Sequence, residues 1–180
     1  ASSFDSGTAY IAGTRYKLGD FTPYLYVTDD YGKNWKLITN GIKDEHFTRV
    51  LRSDKVNKNI LYAGTETGMY ISYDRGNSWN EFQKNLPIVP ITDLTIKDNS
   101  LIVATQGRSI WMIDDLTVFH QLTPSTDQMK LYKPKDSYRM GGAGGRKSLT
   151  AGTNLPNGAI IHYFIPNYDK DNDQVILSIH

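Results

Sequence analysis

The chain has no cysteine, no long apolar run and almost no charge imbalance. Without cysteine there is no disulfide framework, no thiolate-ligated zinc and no cysteine nucleophile, while the redox compartment stays open. No apolar stretch approaches the roughly 18 residues that a membrane-spanning helix needs. Twenty Lys and Arg stand against 19 Asp and Glu, a net charge of +1. That balance argues against nucleic-acid binding, which calls for a basic excess or stripe. No window of a dozen residues shows a 3.6-residue apolar stripe with caps, so almost no helix is expected. The start, Ala1-Ser2-Ser3-Phe4, has neither an initiator Met nor an apolar signal region. The expectation is a chain that begins after processing, after truncation or inside a longer protein.

What is present is a period of two. Ile60–Ala63, Met69–Ser72, Ile91–Ile96, Leu101–Ala104 and Ile110–Ile113 are short runs rich in β-branched and aromatic residues. Polar turn clusters such as Glu66-Thr67-Gly68 and Asp74-Arg75-Gly76-Asn77 separate them. This is the strand-and-hairpin pattern of an all-β chain.

The runs repeat. Residues 28–35 and 72–79 superpose as [Ser/Thr]-x-Asp-x-Gly-x-x-Trp at an offset of 44, matching Thr28, Asp30, Gly32 and Trp35 to Ser72, Asp74, Gly76 and Trp79. Ala12-Gly13-Thr14 matches Ala63-Gly64-Thr65 at an offset of 51, so the first unit carries about seven extra residues around 17–23. In a third, degenerate unit Ala104-Thr105 aligns with Gly64-Thr65, Asp114 falls on Asp74, Phe119 falls on Trp79, and Leu116 replaces the turn glycine. A period of about 40–45 residues holding four short strands is that of a propeller blade. The middle unit reads as strands over 48–53, 60–64, 69–73 and 79–83. The third reads as strands over 91–96, 100–105, 109–113 and 118–122. The first supplies strands over 9–13, 24–28 and 35–39, with its innermost strand missing or within the first few residues.

The repeated box reads as a fold device at the turn between the third and fourth strands of a blade. Its Asp accepts hydrogen bonds from its own turn and its hydroxyl residue adds a local bond. Its Gly supplies backbone freedom, and its Trp opens the last strand and packs between sheets.

These boxes resemble the Asp-box, or BNR, repeat of sialidase-like, sortilin-like and xyloglucanase-like propellers. The stretch from Asn59 to Trp79, with Asn85–Leu94 and Val103–Leu116, is similar to the last blades of large bacterial proteins labelled glycosyl hydrolase or WD40/YVTN/BNR-like repeat protein. The similarity covers roughly residues 1–122. The family's usual residue at position 106 is His, where this chain has Gln106. The resemblance implies a propeller several times longer than this chain and an extracellular, periplasmic or cell-surface bacterial setting. It also implies that a β-sandwich module begins near the tail.

The domain expectation is blades over 1–122, a linker over 123–155 containing Gly141-Gly142-Ala143-Gly144-Gly145, and a first sandwich hairpin over 156–180 with strands at 159–165 and 174–179. The glycine run 141–148 lacks the Gly at Arg146, the strand and the helix of a phosphate loop. Asp169-x-Asp171-x-Asp173 lacks the Gly and Glu of a calcium loop, with Gln174 and His180 in those places. The four His are scattered, and neither a metal nor a cofactor is expected.

Strand directions give one functional expectation. The 2–3 loops of the blades lie at the end opposite the Asp boxes, the end where related propellers bind ligand. Arg15, Glu66, Gln106 and Arg108 occupy those loops, and Lys43–His46 lies at the same end. They are the candidate ligand contacts, with no catalytic residue assigned. The functional expectation is a non-catalytic propeller segment that binds carbohydrate or protein. The alternative is a fragment of a glycoside hydrolase whose carboxylates lie mainly in further blades. The expected partners are those further blades, in the same parent protein or another chain, and a glycan or protein ligand, with no nucleic acid and no membrane insertion.

Overall fold

A computed structural model of the chain describes residues 1–122, 127–138 and 158–178. It divides into two compact units, Ala1–Leu116 and Thr117–His180.

The first unit holds three antiparallel sheets in chain order. The first sheet is β1 (Ala9–Arg15), β2 (Asp20–Thr28) and β3 (Lys36–Leu37). The second is β4 (Thr48–Ser53), β5 (Leu61–Thr65), β6 (Met69–Ser72) and β7 (Asn80–Glu81). The third is β8 (Ile91–Lys97), β9 (Ser100–Thr105) and β10 (Ile110–Ile113). In each sheet consecutive strands are neighbours, as short alternating runs joined by tight turns require. The architecture is that of a partial β-propeller: one complete four-stranded blade flanked by two three-stranded ones.

The two boxes make the same turn. Thr28 Oγ1 donates to Asp30 Oδ1 at 2.8 Å and accepts from Gly32 N at 2.9 Å, while Asn34 N donates to Asp30 Oδ1 at 2.9 Å. Ser72 Oγ, Asp74, Gly76 N and Ser78 N repeat these bonds at 2.8 Å each. The turn holds two successive residues left-handed, Tyr31 (φ 62°) with Gly32 (φ 84°) and Arg75 (φ 61°) with Gly76 (φ 88°). That pair of φ values explains the glycine.

The third box fails, and the register shows why. The bonds Tyr31 N to Gly7 O, Arg75 N to Asn59 O and Leu116 N to Asn99 O mark one recurring place in the three blades. Leu116 therefore stands level with Arg75, Asp115 with Asp74, Ile113 with Ser72 and Thr117 with Gly76. Asp114, expected to be the box aspartate, lies one residue early. The slip arises because the β9–β10 loop closes from Thr105 to Ser109, one residue more than Thr65 to Gly68. With Ile113 for the hydroxyl and Thr117 for the glycine, the left-handed pair does not form. The chain runs on into a short helix, α1 (Thr117–Gln121), where a strand over 118–122 was expected.

The blades meet through interdigitated side chains and a few directed bonds. At the first seam Leu25, Val27, Ile38, Leu51, Leu61, Tyr70 and Trp79 form one buried cluster. Trp79 Nε1 donates to Ile38 O at 2.7 Å and Trp79 N to Asn40 O at 2.9 Å. The counterpart Trp35 does not pack between sheets: it is 40% exposed, and its indole N–H turns back to Gly32 O. Fully buried Thr48 joins β4 to the first sheet, its hydroxyl lying 3.0 Å from Gly13 O and 2.8 Å from Tyr24 O and accepting from Tyr24 N at 3.0 Å. At the second seam β4 and β5 face β8. A Cβ at Gly64 would stand 2.6 Å from Ile91 Cγ2 and 2.7 Å from Val50 Cγ1, so close sheet approach requires glycine there.

In the second unit β11 (Lys130–Leu131) pairs antiparallel with β12 (Tyr163–Phe164), and Tyr132 N donates to His162 O at 3.0 Å. The expected hairpin between 159–165 and 174–179 is not seen among the described residues. Tyr163 and Phe164 take their partner from 130–131, inside the expected linker. Beyond them the chain closes on itself, with Asp173 N donating to Asp169 O and Asp169 N to Asp173 Oδ2. The glycine run 141–148 and His180 lie outside the described residues.

Thr48→Val keeps the shape of the side chain and strands Tyr24 N and its facing carbonyls. A loss of about 2 kcal/mol is expected, read as a lower urea midpoint with unchanged m; an unchanged midpoint would sink the assignment. Hydrogen bonds from Asn34 hold the Asp30 carboxyl below its ordinary value. At Asp74 burial pushes upward, but bonds from Ser78 and Ser72 prevail and the net shift is also downward. Stability from lowered carboxylates is complete above their unfolded value, near 4, and is lost as pH falls through the folded one. Chemical unfolding followed from pH 7 to 2 is therefore expected to show a steep loss below about pH 4, shallower in Asp74→Asn.

Candidate functional site

The end of the blades opposite the Asp boxes carries the clearest constellation of exposed chemistry. Its base is a bulge. The pairing of β4 with β5 shifts register between Thr48 and Val50, leaving Arg49 without a strand partner. Bulges re-aim the extra side chain, and Arg49 meets the β5–β6 turn, where its Nε donates to Glu66 Oε2 at 2.6 Å. Glu66 is itself fixed by its backbone N–H, which donates to Phe47 O at 3.1 Å.

Aromatic rings flank this pair. The Arg49 guanidinium carbon lies 5.3 Å from the Phe47 ring centre and 5.7 Å from that of Tyr16. Tyr16 and Phe47 stack at 5.1 Å with their planes 16° apart, and Phe21 tilts onto Phe47 at 6.0 Å. Phe47 is buried, whereas Tyr16 and Phe21 open to solvent. Tyr16 begins a single 3-10 turn, Tyr16–Leu18, which Gly19 closes with a left-handed φ of 76°. The extra residues of the first repeat thus build an aromatic lip beside Arg49.

The sequence-derived contacts are distributed unevenly around this cluster. Glu66 is at its centre. Arg15 is next to Tyr16 in the chain, and its Nη1 is 3.3 Å from Asp20 Oδ2. Asp20 also accepts from the Tyr24 hydroxyl, which with turn bonds from Thr22 and Arg15 holds its carboxyl below the ordinary value. Gln106 and Arg108 lie on the β9–β10 loop, and among the described residues no hydrogen bond or ion pair joins them to the cluster. Gln106 N donates to Pro90 O, and Arg108 Nη1 donates to the neighbouring Gly107 O. Within the 4–1 loop, Lys43 N donates to the Tyr70 hydroxyl, which is 2.8 Å from His46 Nδ1, and Lys43 pairs with Glu81.

Arg49, Phe47 and Phe21 are additions that reasoning from the sequence did not reach. The signal available was the excess of residues around 17–23; the bulge at Arg49 has no local sequence mark.

Chemically, the cluster offers one guanidinium and one carboxylate between aromatic faces. The Nη atoms of Arg49 have no hydrogen-bond partner among the described residues, so they are free to donate to a ligand. Among the described residues no group of His, Asp and Glu is arranged to hold a metal ion, and no helix is long and apolar enough to cross a membrane.

The family model named Sortilin-Vps10, described as sortilin, neurotensin receptor 3, matches residues 24–140. No curated protein matches the chain. Solved structures of similar fold include an ancestral GH74 enzyme (21% identity over 60% of this chain and 13% of that one, TM-score 0.49). The Niastella koreensis GH74 enzyme is 16% identical over 56% of this chain and 16% of its own, with a TM-score of 0.46. The GH74 xyloglucanase from Xanthomonas campestris is 14% identical over 60% and 19%, with a TM-score of 0.45. The chain spans less than one fifth of each of these proteins.

The Arg49 and Glu66 side chains are 24% and 34% exposed, so solvent discounts their attraction. A double-mutant cycle with Arg49→Met and Glu66→Gln is expected to give about 0.5–1 kcal/mol of coupling that shrinks in high salt. Zero coupling at low salt would show the contact to be incidental.

Proposed function

We propose that this chain, which belongs to the Sortilin-Vps10 family, is a non-catalytic segment of an exported propeller that binds a protein or peptide ligand at the end opposite its Asp boxes. The observation that carries the reading is Arg49, held over Phe47 and Tyr16 by Glu66 with its Nη atoms unpaired among the described residues. A guanidinium oriented in this way offers two parallel donors to a carboxylate or carbonyl, and the open rings of Tyr16 and Phe21 accept an apolar side chain. The family description, sortilin, neurotensin receptor 3, names a receptor and so supports a binding rather than a catalytic role. Further blades of the parent protein would complete the mouth, and an extracellular, periplasmic or cell-surface location suits such a binding surface.

Carbohydrate is the second reading, favoured by the exposed Tyr16 and Phe21 rings, since sugar faces stack on aromatics. Glycoside hydrolysis has weaker support. It needs two carboxyl groups about 5–10 Å apart across a cleft, and the cluster's carboxylate, Glu66, is engaged by Arg49.

Binding of the chain to a peptide library and to a glycan array separates the readings. Peptide capture that falls at least about ten-fold, or 1.4 kcal/mol, in Arg49→Ala supports the first. Glycan capture lost in Tyr16→Ala but kept in Arg49→Ala supports the second, and turnover of aryl glycosides by the chain would overturn both.

A further inference from the structure

The seam between the first and second blades holds a pair of residues with a chemistry of its own. Asn40-Gly41 is one of two Asn-Gly pairs in the sequence, the other being 157–158. Asn157 lies outside the described residues, whereas Asn40 and Gly41 are both described and both exposed to solvent. Asparagine is a thermolabile residue. A glycine after it lacks the Cβ that would hinder its nitrogen from reaching the asparagine side chain. Among the described residues the Gly41 N–H donates to no acceptor, so that nitrogen can approach.

The fold fastens everything else around that peptide bond. The Asn40 carbonyl accepts from Trp79 N at 2.9 Å, and the Asn40 side-chain amide donates to Asn77 O at 3.1 Å. Gly41 holds a left-handed φ of 95°, and the Trp79 carbonyl oxygen lies so close that a Cβ would collide with it. The next residue, Ile42, is buried in the seam cluster. The contacts of Asn40 and Gly41 thus reach across to Asn77 and Trp79 of the second blade, and they last only while the two blades stay together. Ring closure of the Asn40 side chain onto the Gly41 nitrogen turns the main-chain carbonyl and carries the amide off Asn77, so both bonds must break first.

We propose that Asn40-Gly41 is a deamidation site gated by the seam: the closed seam holds it unreactive, and parting of the two blades releases it. The Gly41 nitrogen attacks Asn40 Cγ. The N–Cγ bond forms, and the side-chain nitrogen leaves as ammonia, taking the Gly41 proton. Water then opens the five-membered imide. Cleavage at Cγ gives aspartate, and cleavage at the main-chain carbonyl gives isoaspartate. Neither product fits the closed seam. Aspartate sets a carboxylate oxygen against the Asn77 carbonyl where an N–H donor stood, two acceptors without a proton between them. Isoaspartate adds one methylene to the main chain under Trp79 and draws the carbonyl at 40 away from Trp79 N. Each opening is therefore recorded, because a seam that has reacted no longer closes as before.

The test follows Asn40 by peptide mapping and mass spectrometry while the full chain is incubated in mildly alkaline buffer. A capped peptide of residues 37–43, Leu-Ile-Thr-Asn-Gly-Ile-Lys, is the reference. Asn40 in the folded chain is expected to react at least about ten-fold more slowly than in the peptide, the weight of two hydrogen bonds. Urea below the global unfolding transition, which favours local opening, is expected to raise the folded rate. Trp79→Phe keeps a ring but loses the N–H that bonds Ile38 O, and is expected to raise the rate in plain buffer. Chain purified after deamidation at 40 is expected to exchange its Trp79 amide faster than fresh chain. Equal rates in chain and peptide would overturn the proposal. So would a folded Trp79→Phe chain that reacts no faster, or a rate that urea raises only through global unfolding. An unchanged Trp79 amide after deamidation would overturn the misfit of the products. The urea series needs no variant, so it decides even if Trp79→Phe does not fold.

Discussion

The seam where Trp79 sits against Ile38 governs the rest of the first unit. Burying an indole demands a partner for its one N–H, and the Ile38 carbonyl supplies it at 2.7 Å. Gly41, at φ 95°, lets the preceding blade's chain pass directly beneath the Trp79 backbone, where a Cβ would collide with its carbonyl oxygen. The ring thus fixes the distance between two sheets, and the sheet distance in turn sets where Thr48 can reach the Gly13 and Tyr24 carbonyls. Remove the ring and neither set of bonds has a defined geometry. The Asp box matters because it delivers the tryptophan to the seam: two left-handed residues reverse the chain, and the carboxylate ties the turn so that Trp79 N meets Asn40 O.

The boxes were legible because their bonds are local. Thr28 to Asn34 and Ser72 to Ser78 satisfy one another within seven residues, so the sequence spells out every partner. The Arg49 cluster was not legible for the opposite reason. Arg49 meets Tyr16 and Glu66 across two blades, and only the bulge at Thr48–Val50 aims it there. Glu66 could be placed at the end opposite the boxes from strand alternation alone, whereas Phe47 and Phe21 could not be joined to it. The misread tail has the same origin. Tyr163 and Phe164 alternate like any strand, but their pairing with Lys130 and Leu131 depends on what lies nearby in space, which periodicity does not encode.

The third box shows how narrow the margin between blade and helix is. It keeps an aspartate, Asp115, which accepts from the Asn99 side chain at 2.7 Å, and it keeps the Leu116 to Asn99 bond. It loses the hydroxyl, the glycine and the tryptophan, whose place falls on His120. A right-handed path is the default for L-residues, and a left-handed pair without glycine or a stabilising side chain costs about 1–2 kcal/mol per residue. Ile113 has no hydroxyl to tie such a turn and Thr117 has a Cβ where the box has glycine, so the chain takes the default. Three of the four box positions thus differ, Ile113, Thr117 and His120, and a helix stands where the other blades have an outer strand, which leaves β10 with an open edge among the described residues.

That open edge and the exposed Trp35 belong to one logic. The second blade covers the first with the Trp79 ring that its box delivers, whereas the first blade's own ring, Trp35, has no preceding blade to cover among the described residues. Trp35 stays 40% exposed, its indole N–H turned to its own Gly32 carbonyl. Repeat arrays take their stability from neighbour contacts, and these two places are where such contacts are missing among the described residues. The Arg49 cluster stands apart from both, because it draws on the first and second blades at the seam that is complete. Its geometry is therefore set by the most tightly bonded part of the molecule, which is what a site needs when its donors must be held in place before a ligand arrives.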